Sequence, residues 1–269
     1  MTAVFKITSC VAAVLLSMGA HADPVDLFGT PQGPFNDLTA NAADTGSIIT
    51  SGVGGSVNGP LTDILGGNRD LFVSLIDNGG VATRDVQIGV AGGVLDFSVD
   101  TLARGRGQIQ WDGAANTTES IDFTGLGGID LTNGGTLGAF ELGILFSDGG
   151  FNFEVTAYTD ATNFTSISFV STAHPVPATT FIPFAAFMNP FLCGSVNPAP
   201  GVLSITCGTG TADLTNLGAL VVDLDRTGGT TSIDLTLDQV RAVPEPGALA
   251  LIGVGLLAVG IVGRRRKQV

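Results

Sequence analysis

The sequence predicts an all-β chain, an antiparallel sandwich or barrel, and three observations carry that expectation. Between residues 23 and 242 no segment repeats its apolar side chains at helical spacing, and the chain holds 39 glycines, which are poor helix formers. Turn signals built from Gly, Pro, Asn and Asp recur about every 8 to 12 residues, the spacing of short strands in all-β domains. The stretches between them alternate apolar with polar residues, the period of a strand with one buried face. About 220 residues suit one large domain of this class. Phenylalanine, 16 in the chain, supplies most of the bulk.

The elements follow in order. Residues 23–60 are rich in Gly, Pro, Asn and Thr and read as an irregular lead-in with one or two edge strands. Leu71 to Ile76 is the first clear strand, ended by Asp77-Asn78-Gly79-Gly80. Arg84 to Val90 and Val94 to Val99 follow, the second with Leu95, Phe97 and Val99 on one face. Arg104 to Trp111 comes next, closed by Asp112-Gly113. Glu119 to Phe123 is short, and Gly125 to Leu131 is a loop leading into a strand. Ala139 to Phe146 and Phe151 to Ala157 alternate cleanly on either side of Asp148-Gly149-Gly150, and are expected to pair as a hairpin. Phe164 to Val170 is a further strand. Thr179 to Phe187 is expected to be extended through Pro183, Val202 to Thr206 to be a strand, and Leu214 to Leu224 to hold another. Ser232 to Val240 turns Ile233, Leu235 and Leu237 inward and Asp234, Thr236 and Asp238 outward.

Residues 1–22 read as a secretory signal peptide: a single early cation, Lys6, an apolar stretch from Cys10 to Leu16, and the small-x-small site Ala20-His21-Ala22 before Asp23. The body that follows has no lysine. Six arginines oppose 23 of the chain's 24 acids, a balance that disfavours nucleic acid. It suits solubility outside the cell or, as the sharper reading, carboxylates for divalent cations. Cys193 and Cys207 flank a loop rich in Gly and Pro, and in an oxidising compartment they read as a disulfide. Closing that loop stabilises by about 3 kcal/mol in the chain-entropy model.

Candidate chemistry is sparse. Trp111 with Arg104, Arg106 and Asp112 reads either as a sugar platform, with the indole face against a ring and charged groups on hydroxyls, or as a core residue of its strand. Asp223 and Asp225 offer oxygen ligands for calcium, as do Asp77, Asp148, Asp234 and Asp238, but Asp-Gly turns also form for backbone reasons alone. Glu119, Glu141 and Glu154 are the body's only glutamates, and the sequence does not bring together the two facing carboxylates a glycosidase needs. Beyond the signal peptide the only histidine is His174, so a triad or zinc hydrolase is disfavoured. No catalytic residue and no cofactor other than calcium is expected, and the chain is not expected to be an enzyme.

The remaining stretch, residues 243–269, is Val243-Pro244-Glu245-Pro246, an uncharged apolar run from Gly247 to Gly263, then Arg264-Arg265-Arg266-Lys267. As a helix the run is about 25 Å long, the short end of a membrane span, and the basic tetrad is a cytoplasmic anchor. Pro-Glu-Pro, apolar helix and arginine cluster in that order resemble the PEP-CTERM sorting signal of Gram-negative bacteria. The resemblance implies recognition by an exosortase-type membrane protease. Cleavage is then expected at or near Pro244-Glu245-Pro246, after an anchored stage on the inner membrane, with release to the cell surface or extracellular matrix.

Within the body, Asp213-Leu214-Thr215 leading to Asp225, and Thr231 to Val240, resemble the closing strand pair of galactose-binding-like jelly rolls and related carbohydrate-binding modules. Gly128-Ile129-Asp130-Leu131-Thr132 has the same logic. The expectation is therefore a jelly-roll-like β-sandwich over residues 23–242, between a signal helix and a transmembrane helix. Two functions are carried forward. One is a non-catalytic surface or matrix protein associated with exopolysaccharide or biofilm. The other is a carbohydrate-binding module or polysaccharide-active protein.

Overall fold

In the computed structural model, residues 22–38, 49–54, 63–113 and 120–245 are described. They form an antiparallel sandwich of two sheets, as the alternation predicts. The strands in chain order are β1 (Asp23–Asp26), β2 (Gln32–Asp37), β3 (Ile49–Gly54), β4 (Asn68–Asp77), β5 (Val86–Ala91), β6 (Val94–Val99), β7 (Arg104–Trp111), β8 (Ala139–Ser147), β9 (Asn152–Tyr158), β10 (Phe164–Val170), β11 (Ala178–Pro183), β12 (Ser195–Ala199), β13 (Val202–Cys207), β14 (Ala219–Leu224) and β15 (Asp234–Val243). The seven-stranded sheet runs β11-β8-β15-β6-β5-β2, and β1 pairs the second half of β15 beyond the end of β6. The eight-stranded sheet runs β12-β13-β10-β9-β14-β7-β4-β3.

The expected hairpin between 139 and 157 is not a hairpin. β8 lies between β11 and β15 in one sheet, and β9 lies between β10 and β14 in the other. The Asp148-Gly149-Gly150 turn carries the chain across the core, with Gly150 in the left-handed region at φ 94°. Alternation marks which face of a strand is buried. It does not mark the partner, and in a sandwich both sheets turn an apolar face to the same core. β14 and β15 are likewise divided between the sheets, so the expected closing pair is not a ladder.

Thr179 to Phe187 is extended only to Pro183. Helix α1 (Phe184–Met188) follows, because Pro183 offers no N–H to continue a ladder and sits well just before a helix. The one turn of helix points Phe184 and Phe187 inward, where both meet the ring of Phe140 edge-on, at 4.8 and 5.6 Å between centroids. Residues 120–131 contain no strand, only a bridge from Ile129 to Leu217. Glu119 lies outside the described residues.

The recurring Asp-x-Thr triplets are turns. Asp122, Asp130, Asp160 and Asp213 each accept from both the backbone N–H and the hydroxyl of the threonine two residues on. Such Asx turns hold the backbone in a tight turn through the carboxylate. These bonds favour the ionised form and lower the carboxyl pKa of Asp130 and Asp160.

Cys193 and Cys207 form the expected disulfide, tying the segment before β12 to the end of β13. Among the described residues no helix is long and apolar enough to cross a membrane. The signal segment 1–21 and the apolar run Gly247 to Gly263 lie outside those residues.

Candidate functional site

Strand parity separates the two faces of the eight-stranded sheet. Ile109, Val155, Ile167, Leu220 and Val222 point into the core. The opposite parity places Arg104, Arg106, Gln108 and Gln110 of β7 on the outer face. It also places there Asp223 of β14, Glu154, Thr156 and Tyr158 of β9, and Phe164, Ser166 and Ser168 of β10.

These side chains bond to one another across the strands. Asp223 Oδ1 accepts from Gln108 Nε2 at 2.7 Å, and Gln108 Oε1 accepts from Gln110 Nε2 at 2.7 Å. Directly opposite Asp223 on β9 stands Glu154. Its Oε1 accepts from Arg226 Nη1 at 2.6 Å and its Oε2 from the Ser168 hydroxyl at 2.5 Å. One step along, the hydroxyls of Thr156 and Ser166 are 2.9 Å apart. Tyr158 closes the strip between two further rings, Phe123 at 5.0 Å and Phe164 at 5.4 Å.

The face is uneven in access. Asp70, Phe72, Ser74 and Gln110 at the β4–β7 side are buried. Glu154, Ser168 and the three rings are half-buried, and the Arg226 side chain is 63% exposed. Asp223 lies at the boundary, and burial pushes its carboxyl up to about 6 against the pull of Gln108 and Arg226. Burial likewise raises the Tyr158 phenol. Thr156 and Ser166 are buried as well, so the open half is Glu154, Ser168 and Arg226 beside three aromatic rings. Such an arrangement can hydrogen-bond a polyhydroxylated ligand and cover its apolar faces.

The residues expected to form a sugar platform are not brought together. Trp111 lies on the core side of β7, fully buried, and its indole N–H donates to Asp26 Oδ2 at 2.8 Å. Asp26 also receives both bonds of a buried ion pair with Arg69, at 2.8 and 2.9 Å. Arg69 binds Gln32 and the Thr30 carbonyl as well. Burial raises the Asp26 pKa despite Arg69 beside it. Trp111 is therefore part of a polar knot joining β1, β2 and β4 to β7, and has no face to offer a sugar. Asp112 is buried and accepts from the Asp122 N–H. Arg104 reaches the outer face but pairs with Asp77 at 3.0 Å, and Arg106 stands opposite Ser74.

The proposed calcium pair is also divided. Asp223 faces the outer strip, whereas Asp225, in the left-handed region at φ 47°, is fully buried and accepts from Thr230 N–H to close the 225–230 turn. Among the described residues no three acidic, histidine or cysteine side chains converge on a metal position.

The structure does supply what the sequence could not place, two facing carboxyls, in Glu154 and Asp223. The aromatic row was also missed, although one signal pointed to it. The alternation that puts Asn152, Glu154 and Thr156 outward puts the chain's only tyrosine, Tyr158, on the same side.

β15 stops at Val243, whose carbonyl accepts from Gly138 N–H at 2.8 Å. Pro244, half-buried, and Glu245, exposed, follow with no intervening linker. Pro246 and Arg264, Arg265, Arg266 and Lys267 lie outside the described residues.

Three solved structures resemble the fold distantly. PfGH50B has a TM-score of 0.38 and 7% identity, over 60% of this chain and 22% of its own. An exo-β-agarase has a TM-score of 0.37 and 12% identity, over 65% and 22%. The family 11 carbohydrate-binding module of Clostridium thermocellum, in complex with a β-1,3-1,4-mixed-linked tetrasaccharide, has a TM-score of 0.34 and 11% identity, over 79% and 98%. This chain thus spans about a fifth of the first two. At TM-scores below 0.5 these likenesses define no ligand. No curated protein matches the sequence. The tail is different: residues 242–267 match the model of the PEP-CTERM protein-sorting motif, and the chain carries that sorting signal at the end of its β-sandwich.

Proposed function

We propose that this is an exported, non-catalytic protein of the cell surface or extracellular matrix whose sandwich engages extracellular polysaccharide along the outer strip of β14, β9 and β10. The sorting motif implies processing by an exosortase-type system and an anchored precursor. The observation that carries the binding reading is the half-open row Phe123–Tyr158–Phe164 beside Glu154, Ser168 and Arg226. Sugar recognition needs an apolar ring face and fixed donors and acceptors together, and this strip offers both along one sheet and the Phe123 segment beside it.

A catalytic use of Glu154 and Asp223 is disfavoured by their partners. Both oxygens of Glu154 are occupied, by Arg226 and Ser168, which leaves a poor nucleophile. Calcium is not required by this reading.

Affinity electrophoresis through gels containing the producing cells' own polysaccharide tests it. The wild-type chain is retarded, Tyr158→Ala and Ser168→Ala lose most of the retardation, and no reducing ends appear. Equal mobility in all gels, with or without calcium, contradicts the binding reading. Release of reducing ends contradicts the non-catalytic one.

A further inference from the structure

A second feature lies inside the sandwich. Between β8 and β15 of one sheet and β9, β10, β13 and β14 of the other, the layers part around a cavity of about 540 Å³. Its depth is formed by Phe151, Ile167, Ile205 and Leu224, all buried. Phe153 and Phe169, stacked at 4.8 Å, form one wall. Among the described residues no charged side chain lines it, and the polar ones that do are Ser147, Ser171, Thr172, His174 and Thr180.

Ser171, Thr172, His174 and Thr180 reach the surface, whereas Ser147 is buried. Thr172 is exposed and its hydroxyl lies 2.9 Å from His174 Nε2. The His174 backbone bridges Ser147. The opposite lip is the exposed segment Pro198 to Gly201. The volume falls in the range of small-molecule sites, whereas a packed protein core leaves few voids larger than a water molecule. An apolar interior with hydroxyls and an imidazole at the opening fits a molecule with a hydrocarbon tail and a hydrogen-bonding head.

We propose that the cleft between the sheets is a binding site for the hydrocarbon tail of a single-chain amphiphile whose hydrogen-bonding head is held at Thr172 and His174. The site is separate from the outer strip, and neither depends on the other.

The test uses the full chain in a fluorinated surfactant, whose perfluorinated tail mixes poorly with hydrocarbon. Calorimetric titration is run with 1-monoacylglycerols of increasing length. The expected result is affinity rising about fourfold per added methylene and levelling once the cavity is filled. Val202→Phe and Ala186→Phe, which put bulk into the cleft from partly buried positions, shorten the length at which affinity levels. Phe191→Ser, a change to a residue 93% exposed and outside the cleft lining, leaves the series unchanged. Affinity that ignores chain length, or that falls with Phe191→Ser as much as with Val202→Phe, overturns the proposal. The wild-type length series decides even if a filled variant does not fold.

Discussion

Asp223→Asn is expected to stabilise the fold, and to do so only above mildly acidic pH. Asp223 is about nine-tenths buried in the sheet, and burial lifts its carboxyl from the ordinary 3.8 to about 6. Between those two values the folded chain holds a proton that the unfolded chain has released. Stability therefore falls as pH rises through that window, and the loss is complete above about 6. The difference corresponds to about 3 kcal/mol at neutral pH, since each tenfold change in proton affinity is worth 1.36 kcal/mol. Asparagine is neutral throughout and its Oδ1 accepts the same bond from Gln108. Denaturant midpoints of wild type and Asp223→Asn should coincide at pH 4. They should separate by up to about 3 kcal/mol at pH 8, about 6 to 12 °C in Tm for a domain of this size. A variant no more stable than wild type at pH 8, or one offset equally at both pH values, would refute the assignment of the cost to burial of this carboxylate.

Four other outcomes follow from the packing. Arg69→Met leaves Asp26 buried without its counter-charge and should destabilise by about 3 to 5 kcal/mol in urea titrations. Trp111→Phe removes one donor from Asp26 and should cost about 1 to 3 kcal/mol. The single-tryptophan emission of the wild type should be that of a buried indole and should not move on adding polysaccharide. Gly218→Ala places a methyl group against the carbonyl oxygens of Phe123 and Thr159, and should lower the urea midpoint by the equivalent of about 1 to 3 kcal/mol.

The strands themselves were legible in the sequence, because period-2 burial is a local property. Val94 to Val99 is β6 to the residue, and Phe164 to Val170 is β10. What alternation does not encode is which sheet a strand joins, and the chain crosses between layers at 148–150 through the sort of Gly-rich turn that elsewhere closes hairpins. The disulfide was legible because two cysteines remain in a body read as exported. The site was mostly not legible. Glu154 and Asp223 are opposite each other only because β9 pairs β14, and the aromatic row draws on three separate segments. Trp111 was ambiguous for a similar reason. Its partner Asp26 is 85 residues away, so composition could not say which side of β7 the indole takes. The Asp-Leu-Thr triplets quoted for the resemblance are built as Asx turns.

The most direct measurement of the central claim is amide chemical-shift mapping of the isotope-labelled chain during titration with the producing cells' extracellular polysaccharide. The account predicts shifts concentrated on Glu154, Thr156, Tyr158, Ser166, Ser168 and Asp223, with Trp111 and Arg69 unmoved. Shifts centred on Trp111 or on the opposite sheet, or none at saturating polysaccharide with and without calcium, would contradict it.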